Sequence, residues 1–190
     1  MSPIAMTTVS QTERRAMMES PDRFRELFGS FPTPVAIVTA MGADSTPFGF
    51  TSNAVCAVSA ATPSLLISVG AGSRTLPAIV ASQAFAVNFL SVEGQAASEL
   101  FASKAADKFA HVDWEPSALA AGAPLLTDIA LSYAECRIVS TTRVDDHWLF
   151  TARVEGTAVF PRVPLLYRRG EYSAWSSHHD ASLPVLEGAL

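Results

Sequence analysis

A mainly β fold, an antiparallel barrel decorated by short helices, is what this chain predicts, and three observations carry the prediction. Apolar runs of strand length recur along it, at "PVAIVTA" (34–40), "PSLLISVG" (63–70) and "AFAVNFLS" (84–91). Two longer β-rich runs, "LSYAECRIVSTTRV" and "WLFTARVEGTAVF", are separated only by "DDH". That connection is too short for a parallel crossover and reads as a hairpin. No G-x-G-x-x-G follows a strand and no P-loop is present, which removes two common nucleotide-binding architectures.

The elements follow in order. Ser20 can cap a helix over about Pro21 to Ser30, with Pro21 suited to its first position and Phe24, Leu27 and Phe28 forming one apolar stripe. After strand 34–40, "MGADSTPFG" supplies a turn into "GFTSNAVCAVSAATP" (49–63). That stretch alternates as a half-buried strand from Val55, yet Thr51, Ser52 and Asn53 place three polar side chains together at its start. Strands 63–70 and 84–91 flank a short helix in "SRTLPAIVAS", and a further helix fits 94–103. Residues 111–126, rich in Ala, Pro and Gly, read as a surface excursion, and "PLLYRRGEYSAW" closes the fold after the long hairpin.

At 190 residues one domain is expected. A 49% hydrophobic fraction, 16% charged residues and a mean hydropathy of +0.26 argue for a well-filled core and against disorder, and hint at a buried subunit interface. No apolar run reaches membrane-span length, and a net charge of −5 gives no support for nucleic-acid binding. Residues 1–20 read as a disordered leader without the apolar segment of a secretory signal, 21–175 as the domain and 176–190 as a mobile tail. Cys56 and Cys136 match no metal or redox spacing and are expected as reduced, buried thiols in a cytoplasmic protein. No Ser-His-Asp order, H-E-x-x-H or C-x-x-C is present, and adjacent His178 and His179 in the tail do not make a metal site.

Four places carry candidate chemistry, each with a plainer structural reading beside it. Thr51–Asn53 could hydrogen-bond the rim of a flat heterocycle, or simply begin an edge strand. Ser73, Arg74 and Thr75, at the start of a helix, could receive an anion, or serve as an ordinary cap beside a solvated arginine. Ser103, Lys104 and Lys108 in "FASKAADKF" could add phosphate donors, or form a frayed helix end. His147 in "VDDHWLF" sits at a barrel rim and Tyr172 near the C-terminus, where a turn histidine and a packing tyrosine are the commoner cases.

Taken together and in this order, these places resemble the short-chain flavin reductase family, the reductase components of two-component flavin-dependent monooxygenases. The resemblance runs from about Arg23 to Trp175 and rests on "GSFPTPVAIVTA", "GFTSNAVCAVS", "FAVNFLS", "FASKAADKF", "DDHWLFTARV" and "PLLYRRGEY". It implies an FMN-binding split barrel, a homodimer with flavin sites near the subunit interface, and no metal. It implies that Thr51, Ser52, Asn53, Ala54 and Val55, with Thr33 and Pro34, border the isoalloxazine and ribityl chain. The resemblance likewise assigns Val69, Gly70, Ser73, Arg74, Thr75, Phe101, Ala102, Ser103 and Lys104 to the ribityl and phosphate end. It implies Lys108 and Phe109 as a further flavin-proximal pair, and His147 at the nicotinamide side with Tyr172 near the same pocket. Three positions depart from the family pattern, where Pro34, Asp145 and Ala152 stand in place of usual glycines; aspartate tolerates turn conformations, so the Asp145 turn is expected to survive.

The implied activity is NADH-dependent reduction of free FAD or FMN, with exchangeable flavin passed to a partner monooxygenase and His147 orienting the nicotinamide. A non-enzymatic flavin-binding module and an oxidase of the pyridoxamine-phosphate type are the alternatives on the same scaffold.

Overall fold

A computed structural model of the chain describes residues 20–175. All but the last residue of the expected leader, and the whole expected tail with His178 and His179, lie outside the described residues. The dominant feature is a seven-stranded antiparallel sheet in the order β3-β2-β6-β9-β10-β5-β4. Its strands are β2 (Ala36–Met41), β3 (Pro47–Ser52), β4 (Val55–Ser59), β5 (Ser64–Gly70), β6 (Ala84–Leu90), β9 (Ala130–Val144) and β10 (His147–Val159). A second sheet joins β1 (Thr33–Pro34), β11 (Leu165–Arg168) and β12 (Glu171–Ala174), and β7 (Glu115–Pro116) pairs with β8 (Pro124–Leu125). Three helices complete the set: α1 (Pro21–Phe28), α2 (Leu76–Ser82) and α3 (Gln95–Ala102).

The stretch 49–63 holds two strands rather than one. β3 and β4 lie at opposite ends of the sheet order, yet only Asn53 and Ala54 connect them. The three Cα steps from Ser52 to Val55 span at most roughly 11 Å of extended chain, so the sheet must curl until its edges nearly meet. No ladder joins β3 to β4, which leaves an open seam rather than a closed barrel. Side chains from both halves fill the inside of the curl: Val38, Ile67, Val69, Phe85, Val87 and Phe150 are all fully buried.

Helix α3 covers the other face of β2, where Val35, Ile37, Phe101 and Leu165 form a second cluster. Gly49 is required by this packing, because a Cβ there would sit 2.9 Å from the Phe101 ring and 3.1 Å from that of Phe109.

Residues 111–126 meet the expectation of a surface excursion only in part, since His111, Asp113, Glu115, Pro116, Ala118 and Leu119 are exposed while the later residues turn inward. Ala120, Ala123 and Leu126 are fully buried, packed largely on the outward face of β6, where Ala84 and Ala86 leave room. Asn88 fastens the segment, its Nδ2 donating to the carbonyls of Ile37 (3.2 Å) and Pro124 (3.3 Å) while its Oδ1 accepts from the Leu126 N–H (2.9 Å). A buried amide so fully used has a structural task.

The long hairpin forms as expected, with Asp145 at φ +49°, the left-handed region that a glycine would occupy without strain. Cys136 is buried as expected, but Cys56 is exposed and corrects the expectation of two buried thiols, since the edge strand β4 is exposed from Cys56 to Ser59 among the described residues. Among the described residues no helix is long and apolar enough to cross a membrane, and no cluster of His, Cys, Asp or Glu is arranged to hold a metal.

Candidate active site

The seam gathers the first group of candidates. Thr51 Oγ1 donates to the Ser98 carbonyl of α3 at 2.6 Å, and Ser98 Oγ lies 2.9 Å from Tyr172 Oη. Asn53 Nδ2 donates to Thr33 Oγ1 at 3.2 Å, and Ser52 Oγ accepts from the Ala54 N–H at 3.1 Å. Side chains that looked free for a ligand are therefore largely engaged in shaping the seam. The polar groups that remain include Asn53 Oδ1, the hydroxyls of Tyr167 and Ser52, and the outward peptides of β3, because an edge strand directs every second N–H and C=O away from its neighbour. Here lies a cleft of about 180 Å³, lined by Val35, Thr51, Ser52, Asn53, Ala102, Tyr167 and Tyr172.

A cationic corner adjoins it. Arg74 Nη2 donates to the Ala105 carbonyl at 2.7 Å, and the Ala105 N–H donates to Ser103 Oγ at 3.1 Å. Lys108 is only 8% exposed, and its Nζ donates to the Phe101 carbonyl at 2.6 Å. Burial, and then the nearby Arg74 charge, hold its ammonium below the ordinary lysine pKa. Neither cation forms an ion pair among the described residues. Two neighbouring positive charges without a carboxylate suit an anionic ligand.

The third group lies where β5 meets β10. His147 pairs directly with Gly70, and Trp148 with Val69. The Ala71 N–H donates to the Asp146 carbonyl at 2.8 Å, which ties the loop after β5 to the hairpin turn. His147 Nδ1 lies 2.8 Å from Asp146 Oδ1, and this hydrogen bond holds the Asp146 carboxyl below the usual carboxylate range. An ionised carboxylate only accepts, so Nδ1 is the donor in this contact and Nε2 is the ring nitrogen left without a partner among the described residues.

The remaining candidates are distributed less evenly. Ala54 joins the seam to the sheet by accepting from the Ser68 N–H at 3.1 Å, and Val55 begins the β4 ladder opposite Ile67. Pro34 is exposed on β1, opposite Leu166. Ser73 Oγ accepts from the Thr75 N–H at 3.3 Å, whereas Thr75 itself is buried and makes no side-chain cap. Phe101 is buried and meets Phe109 edge to face at 4.9 Å, so both rings serve packing. Lys104 is exposed and forms no ion pair among the described residues.

Ser98, Asp146 and Tyr167 join the site without having been singled out. Asp146 was legible as half of the Asp-His dipeptide. Ser98 and Tyr167 carry no local signal, since their partners are distant in the chain.

A cleft edged by free peptide groups, a cationic corner without an ion pair among the described residues and a rim imidazole have the chemistry to suit a phosphorylated ring. The chain belongs to the flavin reductase like domain family, which matches residues 28–176. It is 37% identical over 167 residues to "Flavin reductase (NADH)" of Kitasatospora aureofaciens, covering 87% of each chain. With the reductase subunit HsaB of a flavin-dependent monooxygenase from Mycobacterium tuberculosis it shares 36% identity, covering 80% of this chain and 81% of that one. Its structure resembles that of the Streptomyces globisporus NADH:FAD oxidoreductase SgcE6, solved with NAD and FAD fragments, at a TM-score of 0.77 and 30% identity, over 92% of this chain and 100% of that one. The chain is thus an oxidoreductase, a flavin reductase.

Proposed function

We propose that the chain reduces free FAD or FMN with NADH, works as a homodimer on a split-barrel scaffold, and supplies reduced flavin to a separate monooxygenase. One observation carries the reading: Ala102 lines the cleft, while the carbonyl of its neighbour Phe101 receives the buried Lys108 ammonium. Adjacent residues lie about 3.8 Å apart at Cα, so a flat slot and an anion corner share one short segment. That layout fits a ligand with a planar ring at one end and a phosphate at the other.

Flavin and nicotinamide supply the hydride chemistry when bound; the residues bind, orient and exclude water. Arg74 and Lys108 would hold the phosphate, and the β3 edge with Asn53 Oδ1 would hydrogen-bond the ring's rim. His147, with Nδ1 engaged by Asp146, would present Nε2 to the nicotinamide carboxamide. Two rings held about 3–3.5 Å apart are already in reacting geometry, and no side chain need move a proton.

The homodimer is supported by the cleft itself, which is smaller than the roughly 300–1,000 Å³ of ordinary ligand sites and so calls for a second wall. Exposed Val58 (53%), Val139 (55%) and Val144 (48%) supply apolar surface for a subunit contact. The monooxygenase partner is supported by the name of the HsaB relative. Two free thiols and the need for NADH fit a cytoplasmic setting.

His147→Ala tests the reading. The KM for NADH should rise about tenfold while oxidised-flavin affinity stays within about twofold. Equal losses of both would remove His147 from the nicotinamide side. Tight flavin without NADH oxidation would favour the binding module, and oxidation of pyridoxamine phosphate without NADH would favour the oxidase.

A further inference from the structure

A groove of about 400 Å³ runs between α1 and the β11–β12 turn, and it joins the ring cleft because Asn53 and Tyr167 line both. One wall is aromatic. Phe24 and Phe28 lie 4.6 Å apart at their ring centroids, and Phe28 and Phe31 6.0 Å apart. None of these rings belongs to the core, and α1 buries no residue at all.

The other wall is cationic. Arg169 (φ +50°) and Gly170 (φ +89°) form the two-residue turn that brings Arg168 and Arg169 to the groove. Arg168 Nε donates to the Ser30 carbonyl at 3.1 Å, and a Cβ on Gly29 would sit 3.5 Å from Arg169 Cγ, so the turn rests on the end of α1. The carboxylates of α1 have other partners: Asp22 meets Arg25 at 2.8 Å and Glu26 faces Arg23 at 3.7 Å. Glu171 stands opposite Arg168 in the ladder, yet neither Arg168 nor Arg169 forms an ion pair among the described residues.

Unburied phenyl rings across from guanidiniums that form no ion pair among the described residues suit a flat base joined to phosphates, since rings stack on rings and the guanidinium fork matches phosphate oxygens. Resting on the flavin-reductase reading, we propose that this groove holds the adenosine 5′-diphosphate half of the dinucleotide whose other ring enters the Thr51–Asn53 cleft. NAD(P)H and FAD both carry that half.

The direct probe is ADP, titrated by calorimetry into the purified full chain and into three variants. Arg169→Gln and Phe28→Ala alter exposed groove residues, and Arg153→Gln removes an exposed arginine elsewhere. Wild type should bind ADP, Arg169→Gln and Phe28→Ala should each weaken it roughly five- to tenfold, and Arg153→Gln should stay within about twofold. Steady-state kinetics then identify the source. A raised KM for NADH with FMN as acceptor assigns the groove to the nicotinamide donor. A raised KM for FAD, with that for FMN unchanged, assigns it to the flavin.

Absence of ADP binding, or binding untouched by both groove variants, overturns the proposal. So does unchanged ADP binding in a Phe28→Ala protein that sediments as monomer where wild type is a dimer, because the rings then cover a second copy. If wild type oxidises no NADH with either flavin while Arg169→Gln still weakens ADP, the groove stands and the reductase reading falls.

Discussion

Replacing Lys108 with Met separates a phosphate-binding lysine from a structural one. The side chain is buried, donates to the Phe101 carbonyl at 2.6 Å, and lies close enough to Arg74 for that charge to depress its pKa. In the free protein, losing the hydrogen bond costs about 1 kcal/mol, and relief of ammonium burial and of repulsion from Arg74 offsets it. Stability at neutral pH should therefore change by no more than about 1 kcal/mol. With FMN bound the balance differs, because a charge-assisted hydrogen bond to phosphate contributes about 1.5–3 kcal/mol, or roughly 10- to 150-fold in Kd. Riboflavin, which lacks the phosphate, should bind the variant within about twofold of wild type.

Fluorescence titration with the two flavins measures both constants. Equal weakening of FMN and riboflavin, or an unchanged FMN Kd, would refute the reasoning. The pH dependence gives a second check. A lysine with a lowered folded pKa binds fewer protons folded than unfolded, so stability rises with pH between its folded value and the ordinary one. That rise should appear in the flavin-free wild type and diminish in Lys108→Met.

The other expectations concern the scaffold. Gly49→Ala forces a methyl within 2.9 Å of Phe101 and should destabilise by about 1–3 kcal/mol, read as a fall in Tm of about 2–12 °C. Asn88→Ala leaves the Leu126 N–H and two carbonyls short of partners; a loss of about 3 kcal/mol in urea unfolding should accompany faster amide exchange at Leu126. Burial pushes the Cys136 thiol up to about 12, while Cys56 is exposed, so a thiol reagent should label one cysteine in the native chain and two after denaturation.

Much of the fold was legible because its signals are local. The long hairpin followed from strand propensity around a very short connection, and Asp145 could be trusted in a left-handed turn from its chemistry alone. Residues 111–126 misled in part because Ala, Pro and Gly carry no period, and the burial of the later ones arises from the outer face of β6, some thirty residues away in sequence. "TSN" was visible as an anomaly, but the crossing from one sheet edge to the other was not, since periodicity does not say which strands become edges. The cationic corner was half legible: the basic residues stood out, whereas the depressed lysine depends on packing that brings Arg74 to Ala105. Ser98, whose hydroxyl meets Tyr172 across 74 positions, had no local signature at all.

The two-residue link at Asn53–Ala54 also bears on the order in which the molecule assembles. β3 and β4 are neighbours in the chain but occupy the two ends of the sheet, with all five other strands between them. Their edges can converge only after those strands have paired, most of them through contacts distant in sequence that form slowly. If the proposed ring site lies at the link, ligand capture is a late event in folding, and a partly folded chain with most of its β-structure would have no place to seat a ring. Recovery of flavin binding during refolding should lag behind recovery of far-ultraviolet dichroism, and it makes the stricter measure of a native chain.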